Sequence, residues 1–287
     1  SISKVRKRLK PRTKDADIAV KIIISGKDCK TYDCINSFSY YSKYERDKRK
    51  AMTEEYHQIG SLLKPIVYES FVELGRSYEE VISTEPLVLK LKSGTWRPKD
   101  YSKAKGKEIE LKVALQKSKN IPLVRVASEI GFDTLEENLK KKIPRLLTPL
   151  SEYPAQLLGA LELSMEDVQK VYSDFIKQKC SEIKETGQEF EKTVLYYMSV
   201  ADETTISKLA RPPLKNANVF GKTGTSNKGL DNWYFAFDGK NVYVLWYGVE
   251  SQRDKHNVRL TGAVSSYMIF QEFMNFRGKQ ISEVICD

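Results

Sequence analysis

Apolar and polar positions change their period twice along the chain. Residues 18–25 (Ile-Ala-Val-Lys-Ile-Ile-Ile-Ser) form a short β-branched run, a strand signal. A polar turn follows, and residues 35–41 are a candidate partner strand. Residues 44–55 are charged and read as loop or surface helix. From there Leu62, Leu63, Ile66, Val67, Phe71 and Leu74 recur at helical spacing, and Gly75 supplies a stop. Residues 76 to 200 stay mostly helical in pattern, as in 111–115, 123–130, 157–163 and 168–176, punctuated by prolines from Pro86 to Pro154. The period then returns to that of strands. Residues 233–237 and 241–249 are aromatic and β-branched, and Asp238-Gly239 between them is a hairpin signal. Residues 261–276 are helical again.

Strands, a long helical block, strands and a helix make an α+β protein. The first and last strands are expected to meet in one antiparallel sheet. With 287 residues, 40% hydrophobic and 30% charged, the chain is of globular composition. It contains no run near the roughly 20 apolar residues of a membrane span and no signal peptide. Composition leaves two locations open: the cytoplasm, or export through a segment outside this chain.

The net charge of +10 suggests nucleic acid, but its distribution argues otherwise. Lys4, Arg6, Lys7, Arg8, Lys10, Arg12 and Lys14 carry seven of the charges, leaving +3 for the rest. The basicity is a terminal feature, so residues 1–16 are read as a solvated basic linker and not as a nucleic-acid-binding face. Lipid headgroups or an anionic polymer remain open as its partners. Cys29 and Cys34 flank a polar turn; a small disulfide and two free thiols are both open. With only His57 and His256 in the chain, a zinc site is not expected.

A serine needs a base before it can act as a nucleophile, and two histidines offer little. Ser61-Leu62-Leu63-Lys64 places a serine and a lysine one turn apart. Ser-x-x-Lys occurs four times, but only Ser61 heads a strongly apolar helix, between Gly60 and Pro65. Ser118-Lys119-Asn120 is the sole Ser-x-Asn, and Lys222-Thr223-Gly224 the sole Lys-Thr-Gly. The order Ser-x-x-Lys, Ser-x-Asn, Lys-Thr-Gly is the signature of penicillin-recognising serine enzymes. A buried lysine beside a second cation loses its proton readily, so Lys64 near Lys222 would be the base for Ser61. Ser118 would relay a proton to the departing amine and Asn120 would bind the substrate amide. Lys222, Thr223 and Thr225 would hold a carboxylate, and Gly224 would admit substrate backbone. The backbone N–H groups of Ser61 and Thr225 would form the oxyanion hole. His57 is expected to pack or face solvent rather than act as base.

The chain resembles the transpeptidase domain of class A penicillin-binding proteins. The likeness rests on Gln58 to Tyr68, Trp96-Arg97-Pro98, Ala114 to Pro122, Leu158 to Ser164, Gly221 to Ser226, Asp231-Asn232-Trp233-Tyr234 and Arg259-Leu260-Thr261-Gly262. It runs from about residue 17 to 277. Ile59 stands where a proline is common, and Leu62-Leu63 replaces a more usual Thr-Phe.

The resemblance implies a transpeptidase domain over residues 17–287. An antiparallel sheet flanked by helices, from about 17–42 and 216–280, would stand beside an all-helical lobe at about 76–210. It implies attack of Ser61 on a D-Ala-D-Ala stem peptide and transfer to an amine acceptor, with β-lactams acylating the same serine. No metal or organic cofactor is implied. The expected place is the outer face of a bacterial inner membrane, through an anchor outside this chain; the glycosyltransferase domain that class A members carry upstream is not among these residues, so polymerase activity is not expected of them. A D,D-carboxypeptidase and a non-catalytic β-lactam or peptidoglycan sensor are the alternatives.

Overall fold

The β-branched and aromatic runs near the two ends of the chain come together. In the computed structural model, the described residues are 2–13, 17–26, 35–41, 56–102, 106–146, 149–199, 204–210, 219–226, 228–250, 260–277 and 286. Strands β1 (Asp17–Gly26), β2 (Ile35–Tyr41), β3 (Phe220–Thr225), β4 (Asp231–Phe237) and β5 (Asn241–Glu250) form a five-stranded sheet in the order β2-β1-β5-β4-β3. The first strand lies antiparallel to the last, with Ile18 opposite Val249 and Ile24 opposite Tyr243. Between β4 and β5, the Asp238 carboxylate accepts from the N–H groups of Lys240 and Asn241, fixing the hairpin the sequence signalled.

Both faces of β1, β4 and β5 are buried, although residues 36–39 of β2 are exposed, and this is why β1 reads as a nearly continuous apolar run. Ile18, Val20, Ile22, Tyr234, Tyr243 and Leu245 pack toward helices α1 (Ile2–Thr13) and α7 (Ser266–Arg277). Ala19, Ile23, Trp233, Phe235, Val244 and Trp246 belong to the core shared with the other helices. Those are α2 (Lys64–Glu73), α3 (Leu111–Gln116), α4 (Ile121–Ile130), α5 (Phe132–Lys140) and α6 (Met165–Thr186).

Three expectations need correction. The segment read as a basic linker is helical over Ile2–Thr13: Val5 and Leu9, one turn apart, are buried on α7 and anchor it. The block from 76 to 200 also holds small two-stranded ribbons, Val81–Ser83 with Glu108–Glu110 and Leu89–Leu91 with Gly94–Trp96. Residues 157–163 do not form a helix. A 3-10 turn, Pro154–Leu158, ends at left-handed Gly159, and Ser164 then caps α6 in a reciprocal box with Asp167. The Cys29–Cys34 turn, residues 44–55, Lys14 and Arg259 lie outside the described residues.

Candidate active site

The chain enters the site through Gly60, whose φ is +55° and whose N–H donates to Gly159 O at 3.1 Å. Gly60–Leu63 is a 3-10 turn, and α2 begins only at Lys64, with Pro65 in its first turn, where the missing N–H is harmless. Ser61 therefore stands one turn ahead of α2 rather than inside it. Leu62 and Leu63 are buried, whereas Ser61 is only half-buried. Its hydroxyl has no hydrogen-bond partner among the described residues. At the far end of α2, Gly75 N–H donates to Val72 O and Arg76 N–H to Phe71 O, both at 3.0 Å, closing the helix in a Schellman motif.

Lys64 is wholly buried. Its ammonium donates to the carbonyls of Ser118 (2.5 Å) and Lys119 (2.8 Å) and to Asn120 Oδ1 (2.7 Å). Three successive residues thus converge on one nitrogen. They do so because the chain reverses at Ser118, the one non-glycine residue with positive φ (+55°) among those described. Asn120 Nδ2 donates to Lys99 O at 2.7 Å, which turns the amide oxygen toward Lys64. The Asn120 side chain, expected on substrate, is held by Lys64 and Lys99.

Lys222 reaches the same turn from the sheet, donating to Ser118 Oγ and to Thr223 O, each at 3.0 Å. The three sequence motifs are therefore linked: Lys64 to Asn120, and Lys222 to Ser118. A narrow cavity beside Gly221, Lys222 and Thr223 is walled by Leu115, Tyr197 and Met198.

Strand β3 is an edge of the sheet. Gly221 N–H donates outward to Met198 O, while Ser226 N–H donates inward to Asp231 O. By the alternation of an antiparallel ladder, the N–H groups of Thr223 and Thr225 also point outward. Gly60 packs on the Thr225 backbone so closely that a β-carbon would overlap it. The Ser61 turn is thereby brought against the Thr225 backbone. The Thr225 hydroxyl accepts from Gly262 N–H at 3.0 Å. Gly224 does not open onto free space: it faces Ile59 O and Leu62, so its missing side chain admits the Ser61 turn.

Burial first, and the nearby Lys222 charge second, push Lys64 well below the ordinary lysine range; Asp100 opposes this and Lys119 adds to it. Burial alone brings Lys222 down to about 7. Two amines in one dry pocket disfavour being charged together.

No protein-family model matches the chain. Penicillin-binding protein 1B of Haemophilus influenzae is 27% identical over 250 residues, covering 76% of this chain and 31% of that protein. Penicillin-binding protein 1B of Buchnera aphidicola (subsp. Acyrthosiphon pisum) is 28% identical over 296 residues, 93% of this chain and 38% of that protein. Its homologues are class A penicillin-binding proteins. The chain spans about a third of the length of these relatives, 31% and 38%. Among solved structures, penicillin-binding protein 1A of H. influenzae gives a TM-score of 0.66 at 17% identity, covering 93% of this chain and 49% of that one. PonA1 of Mycobacterium tuberculosis gives 0.69 at 12%, covering 98% and 83%. A peptidoglycan glycosyltransferase from Burkholderia ambifaria gives 0.62 at 15%, covering 99% and 95%. At these identities the structural likeness concerns fold alone.

Against this background of penicillin-binding relatives, two neighbours of the site stand out. His57 is no base for Ser61: its ring stacks on Trp246 at 4.1 Å, and Nδ1 lies 3.1 Å from Asp231 Oδ1. Asp100 was not singled out from sequence. Its Oδ1 accepts from the N–H groups of Asn120 and Ile121, capping α4 from outside. A carboxylate two residues after Pro98 gave no sign of which N–H groups it would meet 20 residues later.

Proposed function

We propose that residues 17–287 form a serine D,D-transpeptidase domain working through an acyl-enzyme on Ser61. The observation that carries this reading is the meeting of Lys64, Ser118, Asn120 and Lys222 around one turn, at 2.5–3.0 Å. A wholly buried amine next to a second cation is disposed to give up its proton. Neutral Lys64 then takes the Ser61 proton, and Ser61 Oγ attacks the carbonyl carbon between the two D-Ala residues of a stem peptide. The N–H groups of Ser61 and Thr225 stabilise the oxyanion. The C–N bond breaks as Ser118 Oγ passes a proton to the leaving D-Ala amine and takes in its place the proton that Lys64 received from Ser61. Lys222 and Thr223 face the terminal carboxylate. The amine of a second stem peptide attacks the Ser61 ester, forming the cross-link and freeing Ser61.

A donor peptide laid along the outward N–H groups of Thr223 and Thr225 would extend the sheet by one short strand. β-Lactams, as donor mimics, would acylate Ser61. The place of action is the outer face of the bacterial inner membrane, by way of an anchor outside these residues. Among the described residues no helix is long and apolar enough to cross a membrane. Glycosyl transfer, which the name of one fold neighbour raises, draws on a carboxylate pair in related sugar chemistry; the groups gathered here suit acyl transfer.

Labelling with a fluorescent penicillin tests the reading. One covalent adduct is expected on the parent and none on Ser61→Ala; an adduct that survives the substitution overturns it. With a D-Ala-D-Ala donor and an amine acceptor, cross-linked dimer is expected to dominate, and free acid alone would assign the carboxypeptidase instead.

A further inference from the structure

Asp100 lies where three features of the site meet. First, its carboxylate accepts from the N–H groups of Asn120 and Ile121, the first turn of α4. Asn120, the residue before the helix, provides no side-chain cap of its own. An anion at this end is favoured by the helix dipole. Second, the residue before it, Lys99, accepts from Asn120 Nδ2 at 2.7 Å. Lys99 and Asp100 together grip Asn120 by its main chain and its side chain. This fixes the amide with Oδ1 toward Lys64, at 2.7 Å. Third, the charge of Asp100 reaches across to α2. It acts on Lys64, and it acts on Tyr68 one turn further on, whose hydroxyl is pushed up by burial first and by Asp100 second.

We propose that Asp100 is a positioning residue for the acyl-transfer site, clamping the turn that carries Ser118 and Asn120 and placing a carboxylate one residue away from the Lys64 ammonium, through Asn120. This rests on the transpeptidase reading above. The clamp makes the left-handed turn at Ser118 persist, so its carbonyl and that of Lys119 stay aimed at Lys64. The charge works the other way. Lys222 and Lys119 drive Lys64 toward the neutral base, and Asp100 restrains it. The resting site is then poised: Lys64 keeps its three donated bonds until a ligand enters.

The two roles separate by substitution. Asp100→Asn keeps an oxygen that can accept from Asn120 and Ile121 but removes the charge. Asp100→Ala removes both. The measurement is the second-order rate of acylation by a fluorescent penicillin from pH 5 to 9, with the Lys64 13Cε shift followed over the same range by NMR. With Asp100→Asn, the acid limb of the rate profile and the Lys64 titration are expected to move together to lower pH, since less restraint leaves Lys64 neutral further down. With Asp100→Ala the same displacement is expected, plus a fall of about tenfold or more at every pH, because the turn is no longer held.

Profiles of Asp100→Asn that superimpose on the parent in both measurements overturn the proposal. So does a uniform loss in both variants with an unmoved Lys64 titration, which would mark Asp100 as structural only. If the parent itself is not acylated, the transpeptidase reading fails, and the NMR titration still decides the influence of Asp100 on Lys64.

Discussion

The carbonyl of Ile59 rests on the α-carbon of Gly224, with Leu62 Cβ 2.9 Å from where a β-carbon would stand. The strand that bears Lys222 and the turn that bears Ser61 are thus in backbone contact, and the smallest side chain is a condition of that contact. Gly224→Ala is expected to push the Ser61 turn outward. A displacement of about 1 Å costs on the order of a hundredfold in rate, and overpacking costs about 1–3 kcal/mol of stability. Acylation kinetics and thermal unfolding check both. Gly26→Ala, with nothing within 4 Å of the added carbon, is the control and should leave both unchanged.

Lys222 is 6% exposed, and burial brings it down to about 7. The unfolded chain binds a proton at this residue up to about 10.4, so between the two values the unfolded state holds the extra proton. The cost of burying Lys222 is complete below about 7 and is relieved as pH rises through that window. Lys222→Met should therefore stabilise the fold at pH 7, and the gain should shrink toward pH 10 by at most about 1.4 kcal/mol per pH unit. Urea unfolding of both proteins across that range measures it. A gain independent of pH would contradict the buried titration.

Cys180 on α6 and Cys286 are joined in a disulfide that closes 106 residues. A cross-link over so long a loop is worth about 2–4 kcal/mol through the unfolded state. Cys180→Ser is expected to lower stability by that amount without abolishing penicillin labelling. Peptide mapping under non-reducing conditions should recover the two cysteines in one linked pair.

Lys179, the residue before that cysteine, pairs with Glu69 of α2, which also accepts from Tyr78 OH at 2.9 Å. Both charged groups are buried, at 5% and 7% exposure. Lys179→Met strands the Glu69 carboxylate and should cost about 3–5 kcal/mol. The double variant Glu69→Gln, Lys179→Met should lose less, because the one carboxylate it leaves without Lys179, Glu182, is partly exposed and solvated. A double loss equal to the sum of the single losses would show that the pair does not act as a unit.

What the sequence revealed and what it hid divide along a physical line. Local chemistry was legible: the Asp238-Gly239 hairpin, the stop at Gly75, and the β-branched runs of β1 and β5 follow from a few neighbouring residues. The gathering of Lys64, Asn120, Ser118 and Lys222 was legible through the order of three short motifs, not through any local signal. Contacts between distant segments were hidden. Nothing near Asp100 announces Asn120, and nothing near Cys180 announces Cys286. The N-terminal helix was hidden differently. Val5 and Leu9 do stand at helical spacing, but a crowd of lysines and arginines concealed the stripe. Gly224 was flagged for close approach of backbone, and Ile59 is the backbone that approaches it here.

An unmated strand edge invites any extended chain to join it, including another copy of the same molecule. In β3 the invitation is brief. Met198 occupies the outward amide of Gly221, and Ser199 bridges Phe220. Among the described residues, only the stretch from Lys222 to Thr225 is left without a strand partner on its outer edge, and its inner face is taken up by the Ser61 turn. A guest of a few residues fits such a berth; a long strand from a neighbouring molecule does not, so the same shortness that leaves room for a small peptide also guards this edge, one of the two in the sheet, against pairing with a copy.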